Sequence, residues 1–251
     1  FNAQHSDMEE NSQKENDFNF EKNLNLVNLN FKYPNRDITL NNINLKIEKN
    51  QIIGLIGNTG SGKSTLIKVI MGLIEPTSGK ILIDNNDLPT IKNKWQQNIG
   101  YVPQNFYIFD DTLLENIIFG QNKEEINYKK IEEILEKTSL DKFVNSLPQK
   151  LHTVVGSNAK QISGGQAQRL ALARALYRDP NFIILDEATS SLDSKTGRDI
   201  MEYIYSLKNE KTIIIVSHNE KFLDKCDKIY KITNGELTDQ NKLDLNYNCL
   251  R

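Results

Sequence analysis

The sequence predicts an α/β fold with a mainly parallel sheet, a small antiparallel β region and a helical insertion. Three observations predict it. The apolar run Ile52-Ile53-Gly54-Leu55-Ile56 leads into a glycine-rich loop and then into a stretch with helical periodicity, Leu66 to Ile74. Two more short runs, Phe182-Ile183-Ile184-Leu185 and Thr212-Ile213-Ile214-Ile215-Val216, are rich in β-branched residues without polar alternation, as in strands covered on both faces. The segment between about 111 and 179 reads as mostly helical, clearest over Ile126 to Lys137 and Gln166 to Tyr177.

Taken in order, residues 1 to about 22 are polar with little periodicity and read as a disordered tail, linker or tag remnant. Leu24, Leu26, Val27, Leu29, Phe31 and Tyr33, then Ile38, Leu40, Ile43, Leu45 and Ile47, give period-two stretches expected to form antiparallel strands. Ile81-Leu82-Ile83-Asp84-Asn85-Asn86 reads as a strand ending in a turn. Trp95 stands in a polar stretch, where it either packs on the domain or lines a docking groove. Ser194 to Leu207 reads as a helix between the last two apolar runs. These readings bound one domain over 23–238, with a helical subdomain over about 106–178 and a polar tail over 239–251.

The 251 residues suit one large domain, or one with a subdomain, and can bury a sizeable core. A net charge of −2 supplies no basic field, which argues against a nucleic-acid partner. Cys226 and Cys249 lack metal-ligand spacing and fit a reducing compartment. No apolar run approaches the ~20 residues that a membrane-spanning helix needs. The first residue is Phe1, as expected of a fragment, a processed chain or a tagged product.

The loop Gly57-Asn58-Thr59-Gly60-Ser61-Gly62-Lys63-Ser64-Thr65 has the composition and context of a phosphate-binding P-loop. Its glycines let backbone N–H groups converge on phosphate oxygens, and the helix start adds a favourable dipole. Lys63 would reach the β and γ phosphates, and the Ser64 hydroxyl would hold Mg²⁺. Asp186 and Glu187 close a buried strand; the first acid suits Mg²⁺ and the second suits polarising an attacking water. Ser163-Gly164-Gly165-Gln166 opens another helix and offers a second anion site, better suited to a nucleotide held on another copy. His5 and His152 read as surface residues and Cys226 as a packing residue.

With these motifs in this order, residues 24 to 237 resemble the ATP-binding cassette (ABC) ATPases, whose fold is a P-loop NTPase core with an antiparallel β subdomain and a helical signature subdomain. Ile162-Ser163-Gly164-Gly165-Gln166 resembles their signature motif, with Ile for the usual Leu. Tyr33 matches the aromatic that stacks on adenine, Gln104 the Q-loop glutamine, Ser190-Ser191-Leu192-Asp193 the D-loop, and His218 the switch histidine. The resemblance implies a head-to-tail dimer in which each ATP lies between one P-loop and the partner's signature motif. It also implies in-line attack of water on the γ-phosphate, with Glu187 as base or water-orienting group. His218 and Gln104 would flank the γ-phosphate, Lys63 would stabilise charge, and Ser64, Gln104 and Asp186 would form the Mg²⁺ set.

Three settings for such a motor are open. The first is the ATPase domain of an exporter or flippase at the cytoplasmic face of a membrane, with a transmembrane domain in the same chain or a separate subunit. Phe109 to Gly120 is similar to exporter sequences, and Pro103 to Phe109 and Cys226 to Tyr230 resemble bacterial flippases for lipid-linked glycans. The second is a separate ATPase subunit of an importer or multi-component transporter. Exporters usually carry Thr-x-Val-Gly-Glu-x-Gly where this chain has Thr153-Val154-Val155-Gly156-Ser157-Asn158-Ala159, and Asn219-Glu220 replaces their common Arg-Leu. The third is a non-transport ATPase, disfavoured because neither a long coiled coil nor a second cassette is present in the sequence. The helical insertion from about Phe106 to Leu151 is the expected docking surface for the membrane partner.

Overall fold

The computed structural model describes residues 18–34, 38–156 and 162–240. The chain opens with an antiparallel pair, β1 (Asn23–Lys32) and β2 (Ile38–Glu48), in which alternate apolar residues point to one face. β3 (Ile52–Ile56) then enters the centre of a different sheet and delivers the glycine-rich loop to α1 (Lys63–Ile70). α1 is shorter than its periodicity predicts, because the chain turns at Gly72 with φ +68°. β4 (Ser78–Ile83) returns to pair with β1, and a tight turn at Asp84-Asn85 adds β5 (Asn86–Asp87).

α2 (Leu88–Gln97) and β6 (Ile99–Val102) follow, two elements that hydrophobic periodicity does not announce. In α2 only Leu88 and Trp95 are buried, so its apolar stripe is too thin to read. Trp95 is 0 % exposed and packs against Phe182 and Phe20, with centroids 5.1 and 5.7 Å away. Its indole N–H donates to the Ile70 carbonyl at 2.8 Å. Of the two readings of Trp95, packing on the domain is the one the structure shows, and a buried ring lines no docking groove. Phe20 is equally buried, so Phe18–Lys22 belongs to the packed structure rather than to a tail, while residues 1–17 lie outside the described residues.

The middle region is helical, but two short strands interrupt it. β7 (Asp111–Thr112) leads directly into α3 (Leu113–Ile117), and α4 (Tyr128–Lys137) and α5 (Asp141–Asn145) follow. β8 (Val154–Val155) pairs back on β7, and α6 (Gly164–Tyr177) carries the chain to the main sheet. There β9 (Phe182–Asp186), α7 (Ser194–Ser206) and β10 (Thr212–Val216) form a parallel unit, closed by the hairpin of β11 (Lys228–Thr233) and β12 (Glu236–Gln240). β12 carries the paired structure past Leu237, where the sequence turns polar, because an exposed edge strand can be polar on most positions.

Among the described residues the main sheet has the order β12-β11-β3-β10-β9-β6, parallel except at β12, and the smaller antiparallel sheet has the order β2-β1-β4-β5. Both faces of the main sheet are covered. Ile183, Leu185, Ile213 and Ile215 point into a core shared with α3, α4, α6 and α7. Phe182, Ile184, Ile214 and Val216 point the other way, into a core shared with α1, Trp95 and the antiparallel sheet. That two-sided burial explains why β9 and β10 lack polar alternation. The carboxyl ends of β3, β9 and β10 lie side by side, and the acids and loops that follow them meet there.

Candidate functional site

The loop between β3 and α1 folds as its glycines require. Gly57 has φ +151°, and a Cβ on it would lie 2.5 Å from the Ile232 carbonyl oxygen. Gly62 has φ +113°, occupies the position just before α1 and provides no side-chain cap. With no acidic residue in the first turn, the leading N–H groups and the positive end of the helix dipole are left for an external anion. Lys63 arches over its own loop, donating to the carbonyls of Gly57 at 2.6 Å and Asn58 at 3.0 Å. Burial holds its ammonium below the usual lysine range, against the opposing pull of Glu187 and Asp186.

This loop floors a cavity of about 1040 Å³. Thr59 to Thr65, Tyr33, Gln104, Asp186, Glu187 and His218 line it, bringing together residues predicted from separate motifs. Four residues that sequence reasoning missed also line it: Lys32, Thr39, Asn234 and Gly235. The Asn-Gly pair carries a readable signal, since it forms the tip of the β11–β12 hairpin with positive φ at both residues. Thr39 carries none, because only the docking of that hairpin on β2 brings it to the loop; Asn41 N–H donates to the Gly235 carbonyl at 2.8 Å. Tyr33 packs edge-on against Phe31 at 4.7 Å and places its hydroxyl 3.5 Å from Thr65 Oγ1.

The acidic end of β9 faces the loop. Glu187 is held on both carboxylate oxygens: Gln104 Nε2 donates to Oε2 at 2.8 Å, and His218 Nε2 lies 2.8 Å from Oε1. Its backbone is left-handed, φ +54°, and its N–H donates to the Val216 carbonyl at 3.0 Å. Asp186 is buried, and the Tyr101 hydroxyl reaches its Oδ2 at 3.4 Å. Burial and then the charge of Glu187 push the Asp186 carboxyl above the usual carboxylate range, opposed by Tyr101, Lys63 and His218. A second oxygen-seeking positive charge beside it would relieve that cost.

The other predicted residues stand elsewhere. Gly57 is not among the residues lining the main cavity, and its carbonyl is a Lys63 acceptor; Asn58 lines a smaller cavity of about 320 Å³, with Thr233 and Asn234. Ser163, Gly164, Gly165 and Gln166 start α6 and do not line the main cavity. There Ser163 Oγ accepts from Gln166 N–H at 3.2 Å, and Gln166 Oε1 accepts from Ser163 N–H at 2.9 Å. Asp193 caps α7, accepting from Lys195 and Thr196 N–H, and these bonds hold its carboxyl low. His152 is exposed and Cys226 buried, as expected of surface and packing residues. His5, Cys249, Ser157, Asn158 and Ala159 lie outside the described residues.

A loop that turns backbone N–H groups and one lysine toward a polyanion, beside a buried strand-end acid, is the working part of P-loop nucleotide-binding proteins. The fold and the cavity put this chain in that class. Within it, the family described as "ABC transporter" matches residues 40–190, more than half of the chain, and the chain belongs to that family. It is 37% identical over 215 residues to a putative export ATP-binding/permease protein of Rickettsia bellii, covering 84% of this chain and 37% of that protein. It is also 37% identical over 215 residues to the ATP-dependent lipid A-core flippase of Escherichia coli K12, covering 85% of this chain and 37% of the flippase. Among solved structures, a bacterial Atm1-family ABC exporter with ATP bound superimposes with a TM-score of 0.85 at 27% identity, covering 91% of this chain and 40% of that one. The similarity is thus to ATP-binding domains of the exporter and flippase type, and the chain spans about two-fifths of the length of these relatives.

Proposed function

We propose that this chain hydrolyses ATP and thereby drives a membrane domain of the exporter or flippase type, working as a head-to-tail pair at the cytoplasmic face of a membrane. The observation that carries the chemistry is the single cavity that joins an uncapped helix start, Lys63 and a doubly held Glu187. The triphosphate would lie along the loop with its charge met by backbone N–H groups and Lys63, while Tyr33 stacks on the adenine. Glu187 would accept the proton of the attacking water, which His218 and Gln104 orient by fixing the two carboxylate oxygens. In the pair, Ser163, Gly164, Gly165, Gln166 and Asp193 would complete the partner's site.

The donor set fits Mg²⁺. The exposed Ser64 hydroxyl, the buried Asp186 carboxylate and the Gln104 amide all offer oxygen, and none is a soft ligand. When bound, the ion supplies charge neutralisation at the phosphates.

For transport, the support is the similarity to proteins named as export permeases and flippases. No helix among the described residues is long and apolar enough to cross a membrane; in this reading a transmembrane domain, in the same chain or a separate subunit, carries the span. The helical region over about 106–151 would carry the docking surface. The decisive experiment compares turnover and nucleotide binding in Glu187→Gln. Turnover should fall by on the order of 10²–10⁴-fold with ATP affinity retained, and the variant should form an ATP-dependent dimer on size-exclusion chromatography. Undiminished turnover would sink the assignment of Glu187.

A further inference from the structure

Gln168 lies on α6, five residues beyond Ser163, and is 0 % exposed. Its neighbours on the helix, Leu170, Ala171 and Leu172, are buried and apolar. A buried amide is tolerated in such a place only when its polar atoms are paired. Both ends of this one are spent on a single distant segment. Nε2 donates to the Glu187 carbonyl oxygen at 3.0 Å and lies 3.4 Å from Ser190 Oγ; Oε1 accepts from the Ser191 N–H at 3.0 Å. The orientation of the amide is fixed, because a backbone N–H can only donate and a backbone carbonyl can only accept.

The partner chosen is informative. Glu187 has φ +54°, a conformation that a non-glycine residue holds only when its surroundings impose it. Its N–H is tied to Val216, and its carbonyl takes the Gln168 amide together with the Ser190 N–H at 3.1 Å. With the backbone clamped on both sides, the Cα–Cβ direction is set, and the carboxylate arrives between Gln104 and His218. One end of α6 carries the residues proposed to meet the partner's nucleotide, and its middle holds the backbone of the proposed base in its own site.

We propose that Gln168 is a positioning residue that ties the aim of Glu187 to the placement of α6. Contact at the start of α6 in the closed pair is then felt at the catalytic carboxylate of the same chain. The proposal rests on the reading of Glu187 as base, and the test separates the two. Gln168→Met keeps the volume and removes both bonds; Gln168→Glu keeps the acceptor for Ser191 N–H and removes the donor to the Glu187 carbonyl. In the full chain, both variants should lower kcat on the order of 10–100-fold while KM and equilibrium ATP affinity stay within about twofold.

The specific readout is the double variant. In a Glu187→Gln background, Gln168→Met should change the residual turnover by less than about twofold, because the two residues act as one unit. Melting temperatures identify a variant that fails to fold, and Gln168→Glu then provides the second measurement. Wild-type kcat in a folded Gln168 variant would overturn the proposal. So would a parallel loss of kcat and ATP affinity, or full additivity in the double variant. Undiminished turnover in Glu187→Gln alone would instead remove the base itself, a result obtained without touching Gln168.

Discussion

The helices α1 and α6 both begin in glycine-rich sequence, yet their first turns are finished differently. At α1 the preceding residue is Gly62, no side chain caps the helix, and the N–H groups open into the large cavity beside Lys63. At α6 Ser163 and Gln166 close a reciprocal capping box on the surface of the molecule. The first start has unsatisfied donors that an anion can take at no cost in existing bonds. The second has already satisfied two of its donors, so a phosphate arriving from a partner must compete with Ser163 and Gln166 or use the remaining N–H groups. Glycine content alone does not tell these two helix starts apart; the cap does.

That contrast can be broken at its strongest point by Lys63→Ala. Loss of one charge-assisted partner should weaken ATP binding by the single chain about 10–100-fold, as read by calorimetry. Affinity within error of wild type would mean that α1 is no readier than α6. Ser163→Ala probes the other side. It should cost about 1 kcal/mol of stability through the lost cap, lowering the melting temperature by about 2–4 °C. ATP affinity of the single chain should not change, whereas the ATP-dependent pair should weaken on size-exclusion chromatography.

The smallest effect concerns Asp186. Its carboxyl is raised in the folded chain by burial and by Glu187, so the folded state holds the proton more tightly than the unfolded state does. Ionisation therefore subtracts stability as pH rises from the unfolded carboxylate value through the raised folded one. Asp186→Asn should raise the melting temperature of the nucleotide-free chain at pH 7, and the gain should vanish once the pH falls below about 4. An equal gain at every pH would show that titration of Asp186 is not its source.

What could be read from the sequence was what strong local pattern dictates. β3 and β10 fall on the apolar runs that predict them, because strands covered on both faces have no polar positions to blur their ends. The loop and the two acids were legible as motifs, Gln104 and His218 only through the family resemblance, and the fold brings them to one cavity. Where the pattern is thin, reading failed: α2 shows two buried residues on a polar helix, and Phe20 is a single anchor in a polar run. Gln168 and Thr39 were invisible for another reason. Their meaning lies in which carbonyl or hairpin the fold sets against them, and spacing along the chain does not encode that.

Trp95 is the chain's sole tryptophan. Its indole N–H is bonded to Ile70, the last residue of the helix whose first residue is Lys63. The protein therefore contains its own optical gauge. Selective excitation of tryptophan reports the environment at the rear of α1, free of any attached dye. A red shift of its emission marks the moment when water reaches the junction of α1, α2 and β9. Unfolding followed by this signal, with and without ATP, reads how far a ligand at the front of α1 stiffens the packing behind it.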